Sequence, residues 1–174
     1  MYKPSPIKTE LSEDDFDIYN MSSPYIFLKI FKFMTLFDSY EVIAKYGYES
    51  IDDIVPKNQI PIRRKEALDR YLTTLRITIS NAKFIIKDKD TLDKLGVKID
   101  LLYKQLDNAT TTKRDGITKC EMIYINEEIF TKIIKYSREI YESLCIYMNQ
   151  AGLIFKKREG FDVENIKDQF INLA

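Results

Sequence analysis

The sequence predicts an all-α protein: a single-domain bundle of four main helices, with one or two short extra helices and an extended N-terminal arm. Only five glycines and five prolines occur among 174 residues, and so few helix breakers favour long helices over a turn-rich β protein. Apolar residues recur at alternating spacings of four and three in four segments, as expected for helices that bury one face. The lengths of the connections between these segments agree with a count of four helices.

The chain divides into an N-terminal arm, residues 1–22, and a helical bundle domain, residues 23–174. Two prolines oppose an early helix, and the second half of the arm is acidic. One interpretation is a frayed terminus. The other is an arm that docks on a neighbouring subunit or partner through Phe16, Ile18 and Tyr19, since acidic stretches with interleaved aromatics are typical of segments that order on binding.

The first predicted helix begins at Pro24, after two serines that can cap it, and ends near Tyr46, just before Gly47. Its core stripe consists of Ile26, Ile30, Phe33, Phe37, Tyr40 and Ala44. A second stripe beside it consists of Phe27, Phe31 and Met34. An apolar arc this wide indicates contact with more than one other helix or with another chain. The second stripe therefore supplies candidate partner-binding residues.

The next two helices each show one apolar stripe. The second helix is predicted to begin at Pro61, and its stripe consists of Leu68, Leu72, Leu75, Ile79, Ala82 and Ile86. The run Asp88–Thr91 is expected to end this helix. The stripe of the third helix consists of Leu92, Leu95, Ile99, Leu102 and Leu106, with a bend expected at Gly96. Such seams pack on neighbouring helices at a shallow angle, as in a bundle.

The longest predicted helix runs from Asn126 to about Phe155 and follows a polar loop at residues 108–118. Asn126 is a good N-cap, and two glutamates then favour the positive end of the helix dipole. The stripe of this helix consists of Ile129, Ile133, Tyr136, Ile140, Leu144, Tyr147, Ala151 and Ile154. Residues 120–126 form either a short strand or the beginning of this helix. Gly160, after a cationic run, is a usual stop, and a short final helix is predicted beyond it.

The residue types present exclude several kinds of chemistry. The chain has no histidine, which excludes Ser/His/Asp and Cys/His nucleophile systems. It also has no glycine-rich phosphate loop. We therefore expect no enzymatic activity, no cofactor and no metal site. Asp88, Asp90 and Asp93 do not match the ligand spacing of a cation-binding loop, and solvated helix ends explain them better. An enzyme that uses an Asp, Glu, Tyr or Lys site remains the third hypothesis.

Three clusters of cations form the basis of a nucleic-acid hypothesis. They are Arg63, Arg64, Lys65 and Arg70; Lys113 and Arg114; and Lys156, Lys157 and Arg158. Cations at a helix start oppose the helix dipole, so the first cluster is not placed for helix stability. An anionic partner such as a phosphate backbone would explain it. The other interpretation is ordinary solvated cations, some of them paired with nearby carboxylates.

The leading functional hypothesis is a non-enzymatic helical adaptor or assembly protein that acts through protein–protein contacts or self-association. The wide apolar arc, the acidic arm and the twelve tyrosines favour it. A nucleic-acid-binding helical module that contacts phosphates is the alternative. A composition rich in Lys, Ile and Tyr is typical of AT-rich genomes, so a viral or plasmid-encoded complex is a suitable setting.

The sequence also bears on location. Its beginning lacks a cationic start followed by an apolar run, so we expect no secretory signal. The apolar run at residues 24–37 is shorter than the roughly 20 residues a membrane span needs, and Lys29 and Lys32 interrupt it. Two isolated cysteines favour a reducing compartment. We therefore expect a cytoplasmic protein, found in the host cytoplasm or the virion if it is viral.

Overall fold

Four α-helices form the bulk of the protein in a computed structural model, which describes residues 11–17, 24–47, 60, 62–114 and 121–160. The helices are α1 (Pro24–Tyr46), α2 (Ile62–Ala82), α3 (Lys89–Ala109) and α4 (Glu127–Glu159). Two further elements are the antiparallel strands β1 (Thr110–Arg114) and β2 (Glu121–Ile125), which connect α3 to α4. The prediction of an all-α bundle of four main helices is confirmed. The short final helix predicted after Gly160 lies outside the described residues.

The four helices run alternately up and down. Phe27, near the start of α1, packs on Phe155, near the end of α4, with 4.6 Å between ring centroids. At the opposite end, Arg64 of α2 donates from Nε to the carbonyl oxygen of Ala44 at 2.7 Å. We call the end with Ala44 and Arg64 the upper end and the end with Phe27 and Phe155 the lower end. The β1–β2 hairpin joins α3 to α4 at the upper end.

The helix boundaries follow capping rules. Asn126 caps α4 by accepting a hydrogen bond from the backbone N–H of Ile129 at 3.2 Å, as predicted. Gly160 ends this helix with φ of 73°, a left-handed conformation that glycine adopts without strain. The prediction that Asp88–Thr91 ends the second helix is wrong. That helix ends earlier, at Ala82, and the Asp88 side chain caps α3 instead.

The core confirms the stripes predicted for α2 and α3, and it changes part of the stripe predicted for α4. Every stripe residue of α3 is buried, as is every stripe residue predicted for α2. On α4, however, Ile129 and Tyr136 are 39% and 45% exposed, while Phe130 and Ile134 are buried. The rest of the predicted stripe is confirmed, since Ile133, Ile140, Leu144, Tyr147 and Ala151 are all buried. The difference is confined to the first turns of α4, where the larger Phe130 ring rather than Ile129 enters the core.

The region between α3 and α4 also differs from its prediction. The prediction of a loop at residues 108–118 is wrong over its first half. There α3 continues to Ala109, and β1 follows at Thr110–Arg114. Threonine-rich segments favour strands because their branched side chains fit a pleated surface. For residues 121–125, which pair in register with β1, the strand interpretation is the correct one.

Residues 11–17 pack along the lower end of the bundle. The Phe16 side chain is 2% exposed. The backbone N–H of Asp17 donates to the carbonyl oxygen of Ile85 at 2.8 Å, in the turn between α2 and α3. Glu13 forms an ion pair with Arg158 at 3.2 Å. This part of the arm is therefore an ordered contact with the chain's own bundle.

A membrane span was not expected. Among the described residues, no helix is long and apolar enough to cross a membrane.

Candidate functional site: a charged cleft at the upper end

A cleft of about 570 Å³ opens at the upper end between α1, α2 and α4. The residues that line it are Lys45, Tyr46, Arg64, Thr131, Ile134, Lys135, Arg138, Glu139 and Glu142. Four of these side chains are cations and two are carboxylates. The lining thus combines one exposed aromatic side chain with more cations than carboxylates, and two carboxylates beside the lining, Glu41 and Asp38, also pair with Arg138.

Two of the four cations are held by one buried carboxylate, Glu41. Its side chain is 8% exposed, and it accepts from Arg138 Nη1 at 2.9 Å and from Lys45 Nζ at 2.7 Å. Burial alone would lower the pKa of Arg138, but the charge and hydrogen bond of Glu41 outweigh burial and raise that pKa. Arg138 therefore stays charged and ties α4 to α1. We call this three-residue group the Glu41 clasp.

Two tyrosines lie beside the Glu41 clasp in the centre of the bundle. Tyr71 is fully buried, and its hydroxyl has no hydrogen-bond partner among the described residues. Burial, and secondarily the Glu41 charge, raise the pKa of Tyr71 above its ordinary value. Tyr141 is half-buried and packs edge-on against Phe37, with 4.6 Å between centroids. Burial also raises the pKa of Tyr141, so both phenols remain neutral near neutral pH.

Arg64 differs from the clasped cations because it is held without a carboxylate. Its Nε donates to the Ala44 carbonyl oxygen at 2.7 Å. Its guanidinium lies over the Phe130 ring, 5.4 Å from the centroid. None of the described carboxylates forms an ion pair with it. Burial lowers the pKa of Arg64, and Glu127 only partly opposes that effect.

The rim of the cleft is formed by exposed side chains. Tyr46, at the end of α1, is 77% exposed, and Val42, one turn earlier, is 55% exposed. Lys135 is exposed on α4. No described carboxylate forms an ion pair with Lys135. Because Lys45 and Arg138 are already held by Glu41, the cations with capacity for a ligand are Arg64 and Lys135.

The rest of the first predicted basic cluster faces elsewhere. Arg63 and Arg70 are exposed and line a smaller pocket of about 110 Å³ with Tyr40 and Glu66. Lys65 pairs with Asp69, one turn along α2, at 2.6 Å. Only Arg64 of this cluster reaches the cleft.

The three basic clusters do not form one surface. Arg158 lies 28 residues after Phe130 on the same helix, which places it about 40 Å from Arg64 at 1.5 Å per residue. Lys156 and Lys157 are exposed beside it at the lower end. Lys113 and Arg114 lie on β1, and their side chains are outside what the structure describes.

The candidate partner-binding residues lie mostly in the chain's own core. Phe27, Phe31 and Met34 are 0%, 3% and 8% exposed, and Phe16 is buried as well. Packing against this chain's own helices therefore accounts for the wide apolar arc of α1 without a second chain. The other two candidate residues, Ile18 and Tyr19, lie outside the described residues.

The Glu41 clasp was not identified from the sequence, although the sequence pattern of α1 indicates that Glu41 needs a partner. Glu41 occupies a position of the buried face of α1, between Phe37 and Ala44. A carboxylate on such a face needs a partner, because an unpaired buried charge is costly. Its partner Arg138 is 97 residues away, so only the fold identifies it.

The described side chains of the site include two carboxylates, Glu139 and Glu142. Within the described ranges, no group of three or more Cys, Asp or Glu side chains is placed to hold a metal ion. No family model, curated protein sequence or solved structure matches this chain, so its function has to be inferred from its own residues.

Proposed function

We propose that this chain is a non-enzymatic binding module, an adaptor or assembly protein that acts through protein–protein contact. Its cleft receives an acidic segment of the partner protein. The observation that carries the proposal is the position of Arg64, which forms no ion pair with a described carboxylate and lies in a cleft whose rim includes the exposed Tyr46. Arginine and tyrosine are the side chains that most often dominate the binding energy of protein interfaces.

Charge complementarity favours an acidic segment. Positive side chains outnumber negative ones in the lining, and the two cations outside the Glu41 clasp, Arg64 and Lys135, lie on opposite walls, α2 and α4. Carboxylates on an extended or helical segment can contact both walls, while Tyr46 covers the apolar part of that segment.

A nucleic acid is the alternative partner, and the structure offers it less support. Phosphate contacts along a duplex or strand need cations on one face. Here Arg63 and Arg70 lie on α2 at the upper end, while Lys156–Arg158 lie at the other end of the bundle. One nucleic-acid molecule would have to span both ends to use all three clusters.

The cellular setting we propose is the cytoplasm, meaning the host cytoplasm or the virion if the chain is viral. Two isolated cysteines in the sequence support a reducing compartment.

The test uses fluorescence anisotropy of three labelled probes: a short peptide of glutamate and alanine, its glutamine counterpart, and a single-stranded oligonucleotide. We expect the glutamate peptide alone to bind, more weakly at high salt. A Lys135→Glu variant should weaken this binding, and Lys94→Glu, an exposed cation on α3 away from the cleft, should not. Equal binding of the glutamine peptide, or no binding, contradicts the proposal. Binding of the oligonucleotide alone would replace it with the nucleic-acid alternative.

A further inference from the structure

The geometry points to Arg64 as the residue that binds a carboxylate of the partner's acidic segment, through a bidentate pair of hydrogen bonds from its guanidinium. This inference rests on the proposed function and adds to it a specific contact. It also predicts that the guanidinium cannot be replaced by another cation, because a lysine ammonium does not offer a planar fork.

The first reason is that the side chain of Arg64 is fixed at its inner end. Nε is occupied by the carbonyl oxygen of Ala44 at 2.7 Å. The aliphatic stem passes close to Gly47, where an added Cβ would lie 3.3 Å from Cγ of Arg64. With Nε occupied, the two terminal nitrogens remain available for a carboxylate.

The second reason is that the guanidinium already lies against a buried ring before any ligand arrives. The group lies over the Phe130 ring, 5.4 Å from its centroid, and this ring is fully buried and cannot easily move. A pre-positioned fork loses less side-chain freedom on binding than a solvent-exposed arginine does.

The third reason is that the charge of Arg64 is only partly compensated. The guanidinium is half-buried and lines the cleft, and no described carboxylate forms an ion pair with it. Burial lowers its pKa, which indicates that the charged form has lost hydration. A carboxylate ligand would replace the lost hydration with charge-assisted hydrogen bonds.

The other cations of the cleft cannot take this role. Lys45 and Arg138 already donate to Glu41. Lys135 is exposed and has no fixed geometry among the described residues, so it contributes attraction rather than a directed contact. Arg64 is therefore the specific contact, and Lys135 provides the surrounding charge.

The experiment measures binding of the glutamate–alanine peptide to wild type, Arg64→Gln, Arg64→Lys and Arg70→Gln. Arg70 is the matched control, because it is an exposed arginine of the same helix that lines the other pocket. Loss of a charge-assisted fork should weaken binding at least about tenfold in Arg64→Gln. Arg64→Lys should weaken it at least about threefold although the charge is kept. Arg70→Gln should stay within about twofold of wild type.

The outcomes separate the two proposals. If wild type binds the glutamate peptide but Arg64→Lys binds as tightly, the fork inference is wrong and the proposed function stands. If wild type does not bind the peptide, the proposed function itself fails. Thermal melts of each variant show whether it is folded. If Arg64→Lys is unfolded, Phe130→Leu serves instead, because it removes the ring under the guanidinium and keeps the charge. Undiminished binding in that variant would also overturn the inference.

Discussion

Replacing Tyr71 by phenylalanine should stabilise the protein, although the change removes a polar group from the centre of the bundle. The Tyr71 side chain is fully buried, and no residue in the described part of the chain forms a hydrogen bond with its hydroxyl. In the unfolded chain that hydroxyl is hydrogen-bonded to water, so folding loses this interaction without replacing it. The edge-on contact between its ring and Phe37, at 5.6 Å between centroids, does not need the hydroxyl.

The magnitude follows from two opposing effects. An unsatisfied buried hydroxyl costs about 1–3 kcal/mol of desolvation. Removing one oxygen leaves a void of about 10 Å³, which costs only about 0.2 kcal/mol at roughly 24 cal/mol per Å³. We therefore expect Tyr71→Phe to raise the free energy of unfolding by about 1 kcal/mol, and the melting temperature by about 2–4 °C for a chain of this size.

Urea titration and thermal melts followed by circular dichroism measure this change. Tyr103→Phe is the matched control, because the Tyr103 hydroxyl is hydrogen-bonded to Thr73 Oγ1 at 2.5 Å. It should lower the free energy of unfolding by about 1 kcal/mol. If Tyr71→Phe is also destabilising by that amount, the Tyr71 hydroxyl has a partner and the described centre of the bundle is incorrect.

Three further changes test the packing and charges. Phe27→Ala should lower the free energy of unfolding by about 3–5 kcal/mol in a urea titration, because Phe27 is a fully buried core phenylalanine. A loss below about 0.5 kcal/mol would indicate a surface position and contradict the described burial. Glu41→Gln should lower the free energy of unfolding by about 1–3 kcal/mol in thermal melts, because Glu41 is a buried acceptor for two cations. The Glu142 side chain is 61% exposed, so Glu142→Gln should lower it by less than about 0.5 kcal/mol. Burial raises the pKa of Tyr147 to about 12 and raises that of Tyr71 as well. In the unfolded chain the pKa of a tyrosine is about 10. The contribution of these two groups to the free energy of unfolding should therefore be fully present below about pH 10 and be lost as the pH rises towards 12. Tyrosinate absorbance of these groups should appear only as helicity is lost, and full ionisation with the helices intact would contradict the described burial.

The sequence predicted the parts of the fold that depend on local periodicity. The stripes of α2 and α3 are confirmed because a spacing of four and three allows only one inward face there. At the start of α4 both Ile129 and Phe130 are apolar, and the choice of Phe130 for the core depends on the neighbouring helices. The apolar arc of Phe27 and Phe31 could likewise be recognised from the sequence. The helices that pack on it could not, because those contacts depend on the tertiary arrangement.

The candidate site was only partly predictable. The cation cluster at the start of α2 was visible in the sequence, and Arg64 belongs to it. Arg64 is the one member of this cluster that faces the cleft. It does so because of its contacts with Ala44 and Phe130, which are 20 and 66 residues away along the chain. The Glu41 clasp likewise joins two helices that are adjacent only in the folded protein. Such contacts depend on the tertiary arrangement of the bundle rather than on any local pattern.

The central claim is that the cleft at the upper end is the binding surface, and amide chemical-shift mapping tests it directly. The ¹⁵N-labelled protein is titrated with the glutamate–alanine peptide, with the glutamine peptide as the control. We predict shifts concentrated at Tyr46, Arg64 and Lys135, with none at the lower end around Arg158. Shifts centred on Arg158 or on Arg70, or the same shifts with the glutamine peptide, would contradict the claim.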